Sequence, residues 1–98
     1  MLHVEIIGKL AEDARLETKE TKKYLVFTVE HRETTQYLYG HSVPIVCKMQ
    51  IHEFTLLHQL KKHRRVLVKG DFYVKVNNGR YGDGSTALGC RVAYIDML

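Results

Sequence analysis

Tryptophan is absent from this sequence of 98 residues, proline occurs once and cysteine twice. No apolar run approaches the roughly 18 residues that would cross a bilayer. The opening MLHVEIIGKL carries an early Glu5 and no basic stretch, so it is not read as a signal peptide. Cys47 and Cys90 lack C-x-x-C spacing and sit in the apolar runs IVCKM and ALGCRV. They are expected as reduced, buried thiols of a cytoplasmic protein. His52, His58 and His63 do not fall at i, i+4, and HEFTL lacks the second His of a zinc-protease helix, so no metal site is expected. GRYGDG has no G-K-[ST] and joins two strands, which excludes a phosphate-binding loop of the P-loop kind. No nucleophile stands beside a base, and the acids of the second half are scattered. Neither an enzyme nor a cofactor is expected.

Lysine and arginine are present in excess, and their placement is uneven. Residues 1–50 hold seven Lys/Arg against seven Asp/Glu, whereas residues 51–98 hold eight against four, so the net charge of +4 lies wholly in the second half. Such asymmetry points to an anionic partner, nucleic acid being the commonest. The length bounds the chain to one domain, residues 1–98.

Hydrophobic periodicity is mostly that of strands. LHVEII, closed by Gly8, predicts a first strand; residues 11–23 predict a polar meander or an extension of that strand. KYLVFTVEHR alternates, with Leu25, Phe27 and Val29 on one face and Tyr24, Val26, Thr28 and Glu30 on the other. SVPIVCKMQI predicts a third strand, with Pro44 near its start, where a missing N–H is tolerable. In HEFTLLHQLKKH the period changes: Phe54, Leu57 and Leu60 recur at three, which predicts a short amphipathic helix over 52–63. RVLVKGDFYVKV is a fourth strand whose Gly70 suggests a bulge or bend. TALGCRVAYIDML is a fifth. Five short strands with one helix between the third and fourth predict an all-β fold, the five-stranded oligonucleotide-binding (OB) barrel.

VEIIGKL, YLVFTVEHR and LKKHRRVLVKGDF follow one another as they do in bacterial single-stranded DNA-binding proteins, which the chain resembles over nearly its whole length. Within that superfamily, FTVEHRE, VCKMQI and KVNNGRYG resemble segments of the primosomal replication protein N family. The resemblance implies an OB-fold homodimer that binds single-stranded DNA without catalysis. It implies service in replication or replication restart, with a replication helicase or another replication protein as partner. RNA is the alternative ligand, and a protein-docking module the alternative role. The family commonly stacks bases on tryptophan. Here Val43 and Met49 fall where the longer proteins carry stacking aromatics, and Val46 where protein N has a tryptophan.

Holding an unpaired strand requires cations for phosphates and flat rings for bases. The hairpin tip KVNNGRYGDGS supplies Lys75, Arg80 and Tyr81, although Asn-Gly is also ordinary turn chemistry. Arg32 shares the outward parity of Thr28 and Glu30. Tyr37 and Tyr39 lie in the loop after the second strand, either as stacking surfaces or as a cover for the barrel end. Lys48 has the parity of Val46, opposite Cys47 and Met49. The run Lys61–Arg65 is the densest charge; it reads either as a solvated cap at the end of a helix that, in OB folds, plugs the barrel away from the groove, or as a guide for a strand that wraps around the domain. Phe72 and Tyr73 must face opposite ways, with the pattern leaving open which is core. Tyr94 is expected in the core or a dimer contact.

Overall fold

A computed structural model describes residues 2–32, 42–78 and 84–98. The elements are β1 (Leu2–Leu10), β2 (Arg15–Lys19), β3 (Lys22–Arg32), β4 (Ser42–Ile51), α1 (Thr55–Gln59), β5 (Arg65–Asn78) and β6 (Gly84–Met97). One six-stranded sheet runs in the order β1-β5-β6-β4-β3-β2, and a further β1–β3 pairing closes it into a ring. All neighbours are antiparallel except β4 and β6, which meet in parallel at Val46–Lys48 and Gly89–Arg91. This is the expected all-β OB barrel, with the short helix between the strands now numbered β4 and β5.

Alternation decides what lies inside. Leu25, Phe27 and Val29 of β3 are buried, facing Ile45 and Cys47 of β4, Val66 and Val68 of β5, and Cys90 of β6. Each such aliphatic side chain contributes about 1.5–3 kcal/mol by leaving water. Closure depends on close approach. A methyl group at Gly8 would strike the carbonyl of Glu30, so only glycine lets β1 cross β3 there. Beside that crossing His31 Nδ1 lies 2.9 Å from the Ile7 carbonyl oxygen, which can only accept, so this ring nitrogen donates. At Gly70 the β5–β6 register shifts, as the bulge expectation held, and a methyl there would strike the Arg91 carbonyl.

The 11–23 meander contains a strand of its own. Arg15–Lys19 pairs with Lys22–Val26 through a two-residue turn in which Glu20 takes φ 58°. Left-handed backbone at a tight reversal sets the hairpin, and no apolar alternation announces it. The helix is shorter than expected. It stops at Gln59 because Leu60 turns into the core, fully buried, while its N–H still donates to Leu56 O. The chain then folds onto β1 through His63 N–H to Leu10 O and Leu10 N–H to Arg64 O, both 2.9 Å, with His63 at φ 74°. Among the described residues, no helix is long and apolar enough to cross a membrane.

Candidate functional site

The outward face of β2, β3, β4, β6 and β5 forms one surface, and strand register decides which side chains meet on it. Arg15 pairs with Val26, Val26 with Lys48, and Lys48 with Arg91. The next row runs from Thr28 to Val46, Gly89 and Tyr73, and beyond it Ala87 pairs with Lys75. A shallow trough follows. Arg15, Lys48 and Lys75 line it, Val26, Val46 and Leu88 supply apolar surface, and Arg91 adjoins through its pairing with Lys48. Val26 is buried yet stands apart from the core cluster; it lies under the trough. Three strands thus deliver one cation each to a trough with an apolar floor, and a fourth, β6, sets Arg91 beside it.

Lys48 is the best-held of these cations. Its ammonium donates to Glu17 Oε1 at 3.0 Å and lies 4.8 Å from the centroid of the Tyr24 ring. The hydrogen bond and charge of Lys48 hold the Glu17 carboxyl below its ordinary range, helped by Arg15 and Lys19. Both partners keep solvent contact, so Glu17 can be exchanged for another anion at little cost.

Tyr73 is the outward member of the Phe72–Tyr73 pair, at 38% exposure. Its ring lies over Gly89, where a methyl would strike ring carbons, and the Arg91 guanidinium carbon stands 5.9 Å from the ring centroid.

Of the expected site residues, Lys48 and Lys75 come together in the trough. Tyr37, Tyr39, Arg80 and Tyr81 lie outside the described residues, as does the side chain of Arg32. Arg32 itself ends β3, its backbone opposite Ser42. Arg15, Glu17 and Arg91 were not singled out by sequence, and Tyr73 only as one of a pair whose core member was left open. The parity of Arg15 and Glu17 would have shown only once β2 was recognised as a strand.

The densest basic run is elsewhere. Lys61 to Arg65 are exposed at the barrel end beside β1, and none lines the trough. Asp13 anchors this turn by accepting the Lys62 N–H at 2.7 Å, with Lys61 Nζ 4.0 Å from its other oxygen. Tyr94 is half exposed, with Lys69 Nζ 5.6 Å from its ring centroid, which removes the core from its two expected places and leaves the dimer contact. Cys47 and Cys90 are fully buried; desolvation pushes the Cys47 thiol up to about 12 and raises that of Cys90. Neither offers a thiolate for chemistry near neutrality.

No family model and no curated protein sequence matches the chain. Solved structures do. The mitochondrial single-stranded DNA-binding protein Rim1 of S. cerevisiae is similar at 17% identity and a TM-score of 0.78, over 99% of this chain and 94% of that one. The small single-stranded DNA-binding protein of Streptomyces coelicolor is similar at 15% identity and a TM-score of 0.74, with the same coverage. At these identities the likeness establishes the fold: an OB barrel that takes in nearly the entire chain.

Proposed function

We propose that this protein binds single-stranded DNA without catalysis, by tracking phosphates with cations and stacking bases on exposed rings along the trough. The observation that carries this reading is the gathering of Arg15, Lys48 and Lys75 from three strands around an apolar floor, with Arg91 of a fourth beside them. A polyanion gains counterion-release entropy at each cation, and an apolar floor favours bases over hydrated ions. Two solved proteins of the same fold are named for single-stranded DNA binding, which supports the assignment. Arg32, Arg80 and Tyr81, with Tyr37 and Tyr39, are further contacts in this reading.

The biological setting we assign is replication or replication restart in the cytoplasm, with a replication helicase or a similar protein as partner. A homodimer is part of the reading. From Leu2 to Gly8, β1 pairs on one side with β5 and, among the described residues, has no strand on its other edge. An unpaired edge is a template for a second chain.

Fluorescence anisotropy with labelled oligo-dT and oligo-U at two salt concentrations tests the reading. Oligo-dT should bind at low salt and weaken with a log–log slope of about −0.7 per phosphate neutralised. Binding to neither oligonucleotide at low salt would replace the proposal with a docking module, and a clear preference for oligo-U would make the ligand RNA.

A further inference from the structure

We infer that Tyr73 is the base-stacking surface of the trough and that Gly89 is its seat. The inference rests on the trough being a single-strand site, and it names the residue that receives a base. Tyr73 and Gly89 are register partners on β5 and β6, and Gly89 is in turn the partner of Val46 on β4. The three form one row across the sheet. A β-carbon at Gly89 would run into Cε2, Cζ and the hydroxyl oxygen of Tyr73. The ring therefore lies across the glycine instead of standing away from the strand, which is the usual posture of a strand side chain.

This posture uses one ring face on backbone and turns the other outward. Gly89 is buried beneath it, while Tyr73 keeps 38% of its surface exposed. A ring placed only for packing would share the inward face of Phe72. Val46 makes the arrangement feasible. It is a short side chain, itself 38% exposed, in line with the ring beyond Gly89.

Charge flanks the ring along the strand direction. On one side the neighbouring outward pair is Asp71–Arg91, and on the other it is Lys75–Ala87. The Arg91 guanidinium carbon stands over the ring at 5.9 Å from its centroid, at the outer limit of a cation–π contact, so a stacking base would displace it towards the phosphate that the base carries. Lys48 and Lys75 share the depression with the ring. The ligand class is an unpaired base of a single strand, recognised by its face and so without sequence preference.

The absence of tryptophan makes a clean test. Tyr73→Trp should retain oligo-dT affinity within about threefold, and the introduced indole, the sole one in the chain, should be quenched on binding. Tyr73→Leu should weaken binding roughly tenfold or more without altering the salt slope, whereas Tyr73→Phe should bind as wild type. Gly89→Ala, with Tyr73 intact, should weaken binding to a similar extent by unseating the ring; the Tyr73 variants decide the matter if that protein fails to fold. Wild-type binding with no loss in Tyr73→Leu and an unperturbed indole would overturn the inference and leave the trough standing. Failure of the wild type to bind any oligonucleotide would overturn both.

Discussion

Among the described residues, the trough and the basic turn both gather cations, and they are made in opposite ways. The turn collects Lys61, Lys62, His63, Arg64 and Arg65 from consecutive positions, all exposed at a barrel end. The trough collects Arg15, Lys48 and Lys75 from three strands separated in sequence, over Val26 and Val46 and beside Tyr73, with Arg91 of a fourth strand adjoining. Charge is denser in the first, but only the second adds apolar floor and a ring. A solvated cluster attracts anions generally; a channel with rings can hold a strand by its bases as well. The difference teaches that a run of cations in the sequence is a poorer guide to this site than strand parity.

The largest expected effect sets these regions against each other. Lys48→Ala with Lys75→Ala should weaken oligo-dT binding roughly ten- to thirtyfold at low salt and flatten the salt slope by about 1.4. Arg64→Ala with Arg65→Ala should change affinity less than about threefold. Anisotropy titrations measure both, and equal losses would mean that charge density outweighs geometry.

A sharper version lies within β4, where Lys48 faces the trough and its neighbour Cys47 the core. The fold keeps Cys47 protonated up to about 12, whereas a thiol in the unfolded chain ionises near 9.0. Above that lower value the folded state binds more protons than the unfolded one. The stabilisation is complete below pH 9.0 and is lost as pH rises towards 12. Urea unfolding should show a decline of about 1.4 kcal/mol per pH unit attributable to this group. Cys47→Ala should lack that part of the slope; identical slopes in the two proteins would refute the account.

The smallest effect concerns the acid inside the trough. Glu17 holds Lys48, and in the proposed complex it would compete with phosphate for it. Glu17→Gln should therefore raise oligo-dT affinity about two- to threefold. Protonation acts in the same direction. As pH falls through the Glu17 range, which lies below 4.5, Lys48 is released and wild-type affinity should rise. The Gln variant should lose this pH response, and a response that persists would point to another acid.

Much of this arrangement is legible in the sequence where a single strand carries the information. The alternation in KYLVFTVEHR assigns the core face of β3, Gly70 marks the β5–β6 bulge, and parity alone turns Lys48 away from Cys47. What was missed depends on pairs remote in sequence or on backbone shape. RLETK becomes β2 because Glu20 reverses the chain, and only then do Arg15 and Glu17 have a direction. The helix ends early because Leu60 is drawn into a core made by other strands. Tyr73 could not be separated from Phe72 until Gly89 was known to lie beneath it. Parity is local; register and ring posture belong to the assembled sheet.

The parallel join between Val46–Lys48 and Gly89–Arg91 is a short seam, and the trough lies across it. A guest lying over Val46 and Tyr73 would span both lips of that seam and favour the conformers in which it is shut. Occupancy and barrel integrity are then coupled quantities: whatever loosens the seam lowers grip, and whatever is gripped lengthens the lifetime of the closed ring.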